Sequence, residues 1–274
     1  MSDGVVTEPP SMRDAERHSQ VFIGWDVGGW NCDRNRASRD ALVILAILDG
    51  DLVVLGNAWR GNLRKYINDS VTTRDWLETI FQRCQAPWPN GVFNAVVAID
   101  TPLGFSEAFV RLVTRLDSAP QIGNSATNPY LFRETERMLI KRAKNKRRPL
   151  SAVKDMIGSQ ATKGMHVLAK FAPEKSAIGA WSDNNMLTVI EAYPSACRHS
   201  ETINELRSRD AVRGFVDGLA KKQGTADKCD ALDCALIAYL YAEKREALEA
   251  PPNTMRFPNE GWIWVPRDAL DSIT

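Results

Sequence analysis

Short apolar runs, each closed by a turn signal, set the rhythm of the first hundred residues. Val21–Trp25 is rich in β-formers and ends in Asp26, followed by Gly28-Gly29. Ala41–Leu48 and Leu52–Ala58 read as two further strands joined by Asp49-Gly50-Asp51, and an Asp-Gly between apolar runs is a hairpin signal. Thr73–Gln85 changes period: Trp76, Ile80 and Phe81 recur at helical spacing, with Thr72 or Thr73 as the cap. Val92–Ile99 reads as a buried strand that ends at Asp100 and is broken by Thr101-Pro102-Leu103-Gly104.

From there to about residue 185 the pattern predicts helices only, over Phe105–Leu116, Tyr130–Ala143 and Ser151–Phe171. The stretch 105–185 therefore reads as a helical insertion. Met186–Ala192 returns to a strand, closed by Tyr193-Pro194. Helices over Ser208–Lys222 and Ala226–Glu249 follow, and Gly261–Val265 ends the series as a short strand. This order predicts an α/β fold. Residues 1–20 lack any sustained period and read as a flexible tail, leaving 21–274 as one domain.

Composition narrows the classes. The 274 residues are 44% hydrophobic and 25% charged, the balance of an ordinary soluble domain. Lysine and arginine number 35 against 34 acids, so no global basic field exists and any attraction for nucleic acid must be local. No apolar run approaches the roughly 20 residues that a bilayer requires. The first twenty residues carry charges and two prolines rather than an apolar leader. Five cysteines without CxxC pairs read as reduced thiols of a cytoplasmic protein.

The acids carry the chemistry. Asp26, Asp100 and Glu191 each sit at the C-terminal end of a β-rich run, where open α/β sheets gather their ligands. Such a carboxylate cluster suits Mg²⁺ or Mn²⁺, because hard cations prefer oxygen donors. Single acids often only cap turns, so the weight lies in three sharing one context. In the last long helix Asp230 and Asp233 are three residues apart, roughly 60° around the helix, and border the apolar face of Cys229, Leu232, Leu236 and Tyr239. The helix dipole accounts for Asp227 in the first turn; it does not account for Asp233. Asp230 and Asp233 therefore read as further metal ligands.

GWDVGG (24–29), AIDTPLGF (98–105), RETER (133–137), IEAYPS (190–195), DKCDALDCALIAYLYA (227–242) and EGWIWVP (260–266) together resemble domain-of-unknown-function family 429, the predicted ribonuclease-H-like nucleases. The resemblance spans about 21–266. It implies a ribonuclease-H-like mixed sheet whose first three strands are antiparallel. It also implies that Asp26 is the first-strand carboxylate and Asp100 the one ending the fourth strand. The DALD stretch is similar to the last helix of Holliday-junction resolvases of that superfamily, which puts Asp230 and Asp233 in metal-binding slots. Cys234 departs from the pattern, standing where a small residue such as alanine is usual.

A local basic field exists at Lys141–Arg148, with six positive charges in eight positions. Lys144, Lys146, Arg147 and Arg148 are the expected phosphate contacts, against the alternative of a solvated helix end. Arg133 of RETER is a further expected phosphate contact. His18, His166 and His199 are isolated and lack zinc spacing. GxGxxG and Walker A loops are absent.

These residues predict a metal-dependent nuclease that hydrolyses DNA or RNA with Mg²⁺ or Mn²⁺. Asp26, Asp100 and Asp230 would be catalytic, with Glu191 and Asp233 as added ligands. A nucleic-acid partner is expected, with no membrane; a protein partner stays open. The competing readings are a sugar-kinase or actin-like phosphotransferase and a non-catalytic scaffold. The phosphotransferase would need a second glycine-rich loop, and the glycines after Glu191 are isolated.

Overall fold

The computed structural model describes residues 19–35, 37–146, 148–219 and 224–272. Residues 1–18, most of the expected tail, and Arg147 of the basic tract lie outside the described residues. Along the chain run β1 (Ser19–Asp26), β2 (Asp40–Leu48), β3 (Asp51–Val54), β4 (Trp59–Gly61), α1 (Arg64–Asp69), α2 (Thr73–Cys84) and β5 (Phe93–Asp100). Next come α3 (Glu107–Arg115), α4 (Glu134–Arg142), α5 (Gly158–Phe171), β6 (Glu174–Ala177), β7 (Ala180–Ser182) and β8 (Leu187–Ala192). The last part holds α6 (Pro194–Cys197), α7 (Glu201–Ser208), α8 (Asp210–Leu219), α9 (Thr225–Glu243) and β9 (Ile263–Trp264).

The strands form one mixed sheet in the order β3-β2-β1-β5-β8-β7-β6, with β4 paired to β2 and β9 to β8. β1, β2 and β3 are successively antiparallel, while β5 runs parallel to β1 and β8 parallel to β5. The β2–β3 turn is made by Asp49 (φ 52°) and Gly50 (φ 88°), the left-handed pair that a tight hairpin demands. Thr72 caps α2, accepting from the Asp75 N–H while the Asp75 carboxylate accepts from the Thr72 N–H, a reciprocal capping box.

Period-2 alternation divides the core. Phe22, Val43, Val96, Ala98 and Ile190 face the helix α9, whereas Val21, Ile23, Trp25, Val97, Ile99 and Val189 face α2 and α5. α9 is buried continuously from Ala231 to Tyr241, as a helix covered on all sides must be. It lies very close to β1. A Cβ on Gly24 would stand 1.8 Å from the Ala231 carbonyl oxygen, so only glycine admits the helix at this distance.

The expected all-helical insertion is corrected by β6 and β7, which extend the far edge of the sheet beyond β8. Glu-Lys-Ser-Ala of β6 is exposed throughout and carries no apolar alternation to read. Of the helix expected over Ser208–Lys222, α8 covers Asp210–Leu219 and residues 220–222 lie outside the described residues; α7 precedes it unexpectedly, and Arg209 in extended conformation separates the two. The last helix stops at Glu243 rather than Glu249, because Leu248 leaves it to pair with Pro266 and is fully buried there. α1, a single short helix after β4, carries no signal strong enough to predict. Among the described residues no helix is long and apolar enough to cross a membrane.

Candidate functional site

β1 and β5 are parallel neighbours in register, and their last paired residues are Asp26 and Asp100. Both acids fall at even positions, on the α9 side of the sheet. They line a cleft of about 230 Å³ with Thr101, Gln160, Glu191 and Tyr193. α9 brings Asp230 and Asp227 to the same end. Burial first, then Asp100, Asp230 and Asp227, push the Asp26 carboxyl well above the usual range. Burial, Asp230, Glu191 and Asp233 likewise raise Asp100 to about 8. The leading causes at both groups all disfavour the anion.

Glu191 and Asp233 occupy a different environment from that pair. Glu191 registers with Ile99 rather than Asp100, which puts it on the opposite face of the sheet. Its Oε1 accepts from Arg133 Nη2 at 2.5 Å, and its Oε2 from Arg133 Nη1 at 2.8 Å and the Leu103 N–H at 2.9 Å. Burial still lifts its carboxyl despite the arginine. Asp233 is buried on the inner side of α9 and held by the Arg207 guanidinium, with Arg207 Nε 3.0 Å from Oδ1. Burial dominates there too and raises it to about 7. Counting strand ends and helix spacing finds both acids; only register and packing show that each already has an arginine.

Arg133 requires a correction. It is 1% exposed, and its guanidinium is divided among Glu136, Glu191 and the Glu260 carbonyl. No face is left for a phosphate. It ties α4 to β8 and to the segment before β9, which positions the wall of the cleft.

The basic tract borders the cleft through Pro149 and Leu150, which line it. Lys144, Lys146 and Arg148 are exposed. Lys144 Nζ donates to the Asp268 carbonyl at 2.8 Å, and Lys146 Nζ stands 3.1 Å from Asp271. The backbone of the tract is also tied to the C-terminal segment, by an Ala143–Leu270 bridge and the Asp271 N–H on the Arg142 carbonyl.

Two residues carry no sequence signal. Asp40 and Lys163 are both fully buried and paired beneath the Gly28-Gly29 loop. Asp40 Oδ1 accepts from Trp25 Nε1 (3.1 Å) and the Gly28 N–H (2.8 Å), and Oδ2 from the Leu63 N–H (2.6 Å). Lys163 reaches from α5 to the Gly28 carbonyl at 3.2 Å. Together they fix the backbone just after Asp26. An Asp opening a strand and a lysine inside a helix give no motif. On α9, Asp227 accepts from Arg60 Nε at 2.7 Å and the Arg39 N–H at 3.2 Å, so it anchors β4 as well as serving the helix start.

The donors suit a hard dication in kind: half-buried carboxylates at Asp26 and Asp100 that repel each other. Beside them Thr101 Oγ1, 5% exposed by residue, has no hydrogen-bond partner among the described residues. Among the described residues no set of three or more His, Cys, Asp or Glu side chains is already arranged to ligate a metal. No protein-family model, curated protein or solved structure matches the chain.

Proposed function

We propose that this chain is a divalent-metal-dependent nuclease that hydrolyses phosphodiester bonds of DNA or RNA. The observation that carries the reading is the side-by-side placement of Asp26 and Asp100 on parallel strands, with Asp230 raising both carboxyls. The antiparallel β1–β3 followed by parallel β5 and β8 supports a ribonuclease-H-like sheet and the family-429 resemblance. Asp26, Asp100 and Asp230 would hold Mg²⁺ or Mn²⁺. When bound, the ion supplies positive charge against the charge that builds on the phosphate during attack.

The chain's own groups have separate tasks in this reading. Asp40 and Lys163 hold the loop after Asp26 in place. Arg133 holds Glu191 on the wall of the cleft, and Arg207 holds Asp233 on α9, so both of those acids reach the site already paired with an arginine. Lys144, Lys146 and Arg148 would supply sequence-independent attraction at the rim.

The test is cleavage of single- and double-stranded DNA and RNA by the purified chain in Mg²⁺ or Mn²⁺. Asp26→Asn and Asp100→Asn keep the shape and remove the charge, and each should abolish cleavage while the fold persists. No cleavage of any of these substrates by the wild type, together with no Mn²⁺-dependent rise in melting midpoint, would overturn the reading. That result would leave the scaffold reading in its place.

A further inference from the structure

A second cavity, of about 400 Å³, lies between α3, the loop after it, α4 and the segment before β9. Two of its three acids, Glu260 and Asp117, are already engaged. The Glu260 carboxylate accepts the Glu107 N–H at 2.8 Å and the Glu134 N–H at 2.6 Å, capping the first turns of α3 and α4. Asp117 is held by Arg111, with Arg111 Nε 3.0 Å from Oδ2, and Glu107 adds its charge to the same arginine.

Two further guanidinium groups line the cavity. Arg137 donates to the Phe132 carbonyl, and the Arg256 guanidinium lies 5.0 Å from the centre of the Phe257 ring. Neither guanidinium is within salt-bridge distance of a carboxylate among the described residues, although Arg137 lends its charge to the Glu260 carboxylate and the Arg256 N–H donates to Glu134 Oε2 at 3.1 Å. The remaining wall is largely apolar, with Ala108, Pro120, Pro129 and Phe257. An apolar hollow of this size with a few polar groups is the usual form of a small-molecule site. Two planar, permanently charged forks suit a phosphate, whose several oxygens can take paired N–H donors.

We propose that this cavity binds an organic phosphate monoester, its phosphate on Arg137 and Arg256 and its organic body on Phe257 and the prolines. The site is independent of the acidic cleft and of the nuclease reading, because it requires no metal and none of the cleft acids.

Calorimetric titration in chelator, with phenyl phosphate, inorganic phosphate and phenol as probes, tests it. Phenyl phosphate should bind more tightly than either fragment. Arg256→Gln and Arg137→Gln should each weaken it by about tenfold or more, as expected when a charge-assisted hydrogen bond is removed. Arg256 is exposed, so its replacement leaves the fold intact and keeps the test valid if Arg137→Gln proves unstable. Asp26→Asn should leave the affinity unchanged. Adding a nucleoside monophosphate and a sugar phosphate identifies the source of the ester: tighter binding of the nucleotide assigns a base to the Phe257 wall, and equal binding a plain phosphate ester. Absence of phenyl phosphate binding at millimolar concentration would overturn the proposal. So would unchanged affinity in Arg256→Gln, or abolished binding in Asp26→Asn.

Discussion

Lys163 and Asp40 form an ion pair with both side chains wholly out of solvent, 123 residues apart in sequence and directly under the loop that follows Asp26. Desolvating two charges is costly, and it is offset here because Asp40 accepts three further hydrogen bonds and Lys163 reaches the Gly28 carbonyl. Removing one partner leaves the other charge buried without compensation. Lys163→Met should therefore cost about 3–5 kcal/mol in denaturant unfolding. A cost below about 1 kcal/mol, the range of exposed pairs, would show that the pair is solvated.

The approach of α9 to β1 decides whether Asp230 can meet Asp26. With a Cβ on Gly24 only 1.8 Å from the Ala231 oxygen, Gly24→Ala must push the helix outward or fail to pack. Overpacking of this kind costs about 1–3 kcal/mol, more where the obstacle is backbone. The melting midpoint should fall, and the Mn²⁺-dependent rise should shrink with it, since the helix carries Asp230. A variant with an unaltered midpoint would mean that the helix sits further away.

The main strands are legible in the sequence because each apolar run is bounded by its own punctuation. Asp49-Gly50 announces its hairpin, and Pro102 and Pro194 close β5 and β8. Asp26 and Asp100 are legible for the same reason, as acids at strand ends. β6 is not, because four exposed residues leave no hydrophobic imprint. The burial of Arg133 is not legible either: its partners Glu191 and Glu260 are 58 and 127 residues away, and only the tertiary fold joins them. Parity is subtler still. Asp100 and Glu191 end adjacent strands, yet a register offset of one residue turns them to opposite faces.

The acids make stability depend on pH in a definite direction. Burial and neighbouring acids hold Asp100 at about 8, and burial holds Asp233 at about 7, both above the ordinary 3.8. A carboxyl with a raised folded value binds its proton more tightly in the folded state. Its contribution is fully present below the unfolded value and is lost as pH rises through the folded one. In chelator, the melting midpoint should therefore fall between about pH 4 and pH 8. Asp100→Asn should flatten that fall by removing the group that must ionise. A wild-type profile no steeper than that of Asp100→Asn would mean that Asp100 titrates normally.

The basic tract separates attraction from scaffolding. Lys144 and Lys146 already reach the Asp268 carbonyl and Asp271, but both are exposed, and pairs of that kind contribute little. Their charges therefore remain available to a polyanion at the rim of the cleft that Pro149 and Leu150 line. Replacing Lys144, Lys146 and Arg148 by Gln should weaken binding to any DNA or RNA sequence by a similar factor. The slope of log affinity against log salt should fall by roughly 0.7–0.9 for each phosphate that is no longer neutralised. Because the backbone ties of the tract to the C-terminal segment do not involve these side chains, thermal stability should change little. An unchanged slope with a lowered melting midpoint would reverse the assignment and make the tract a fastening for the C-terminal segment.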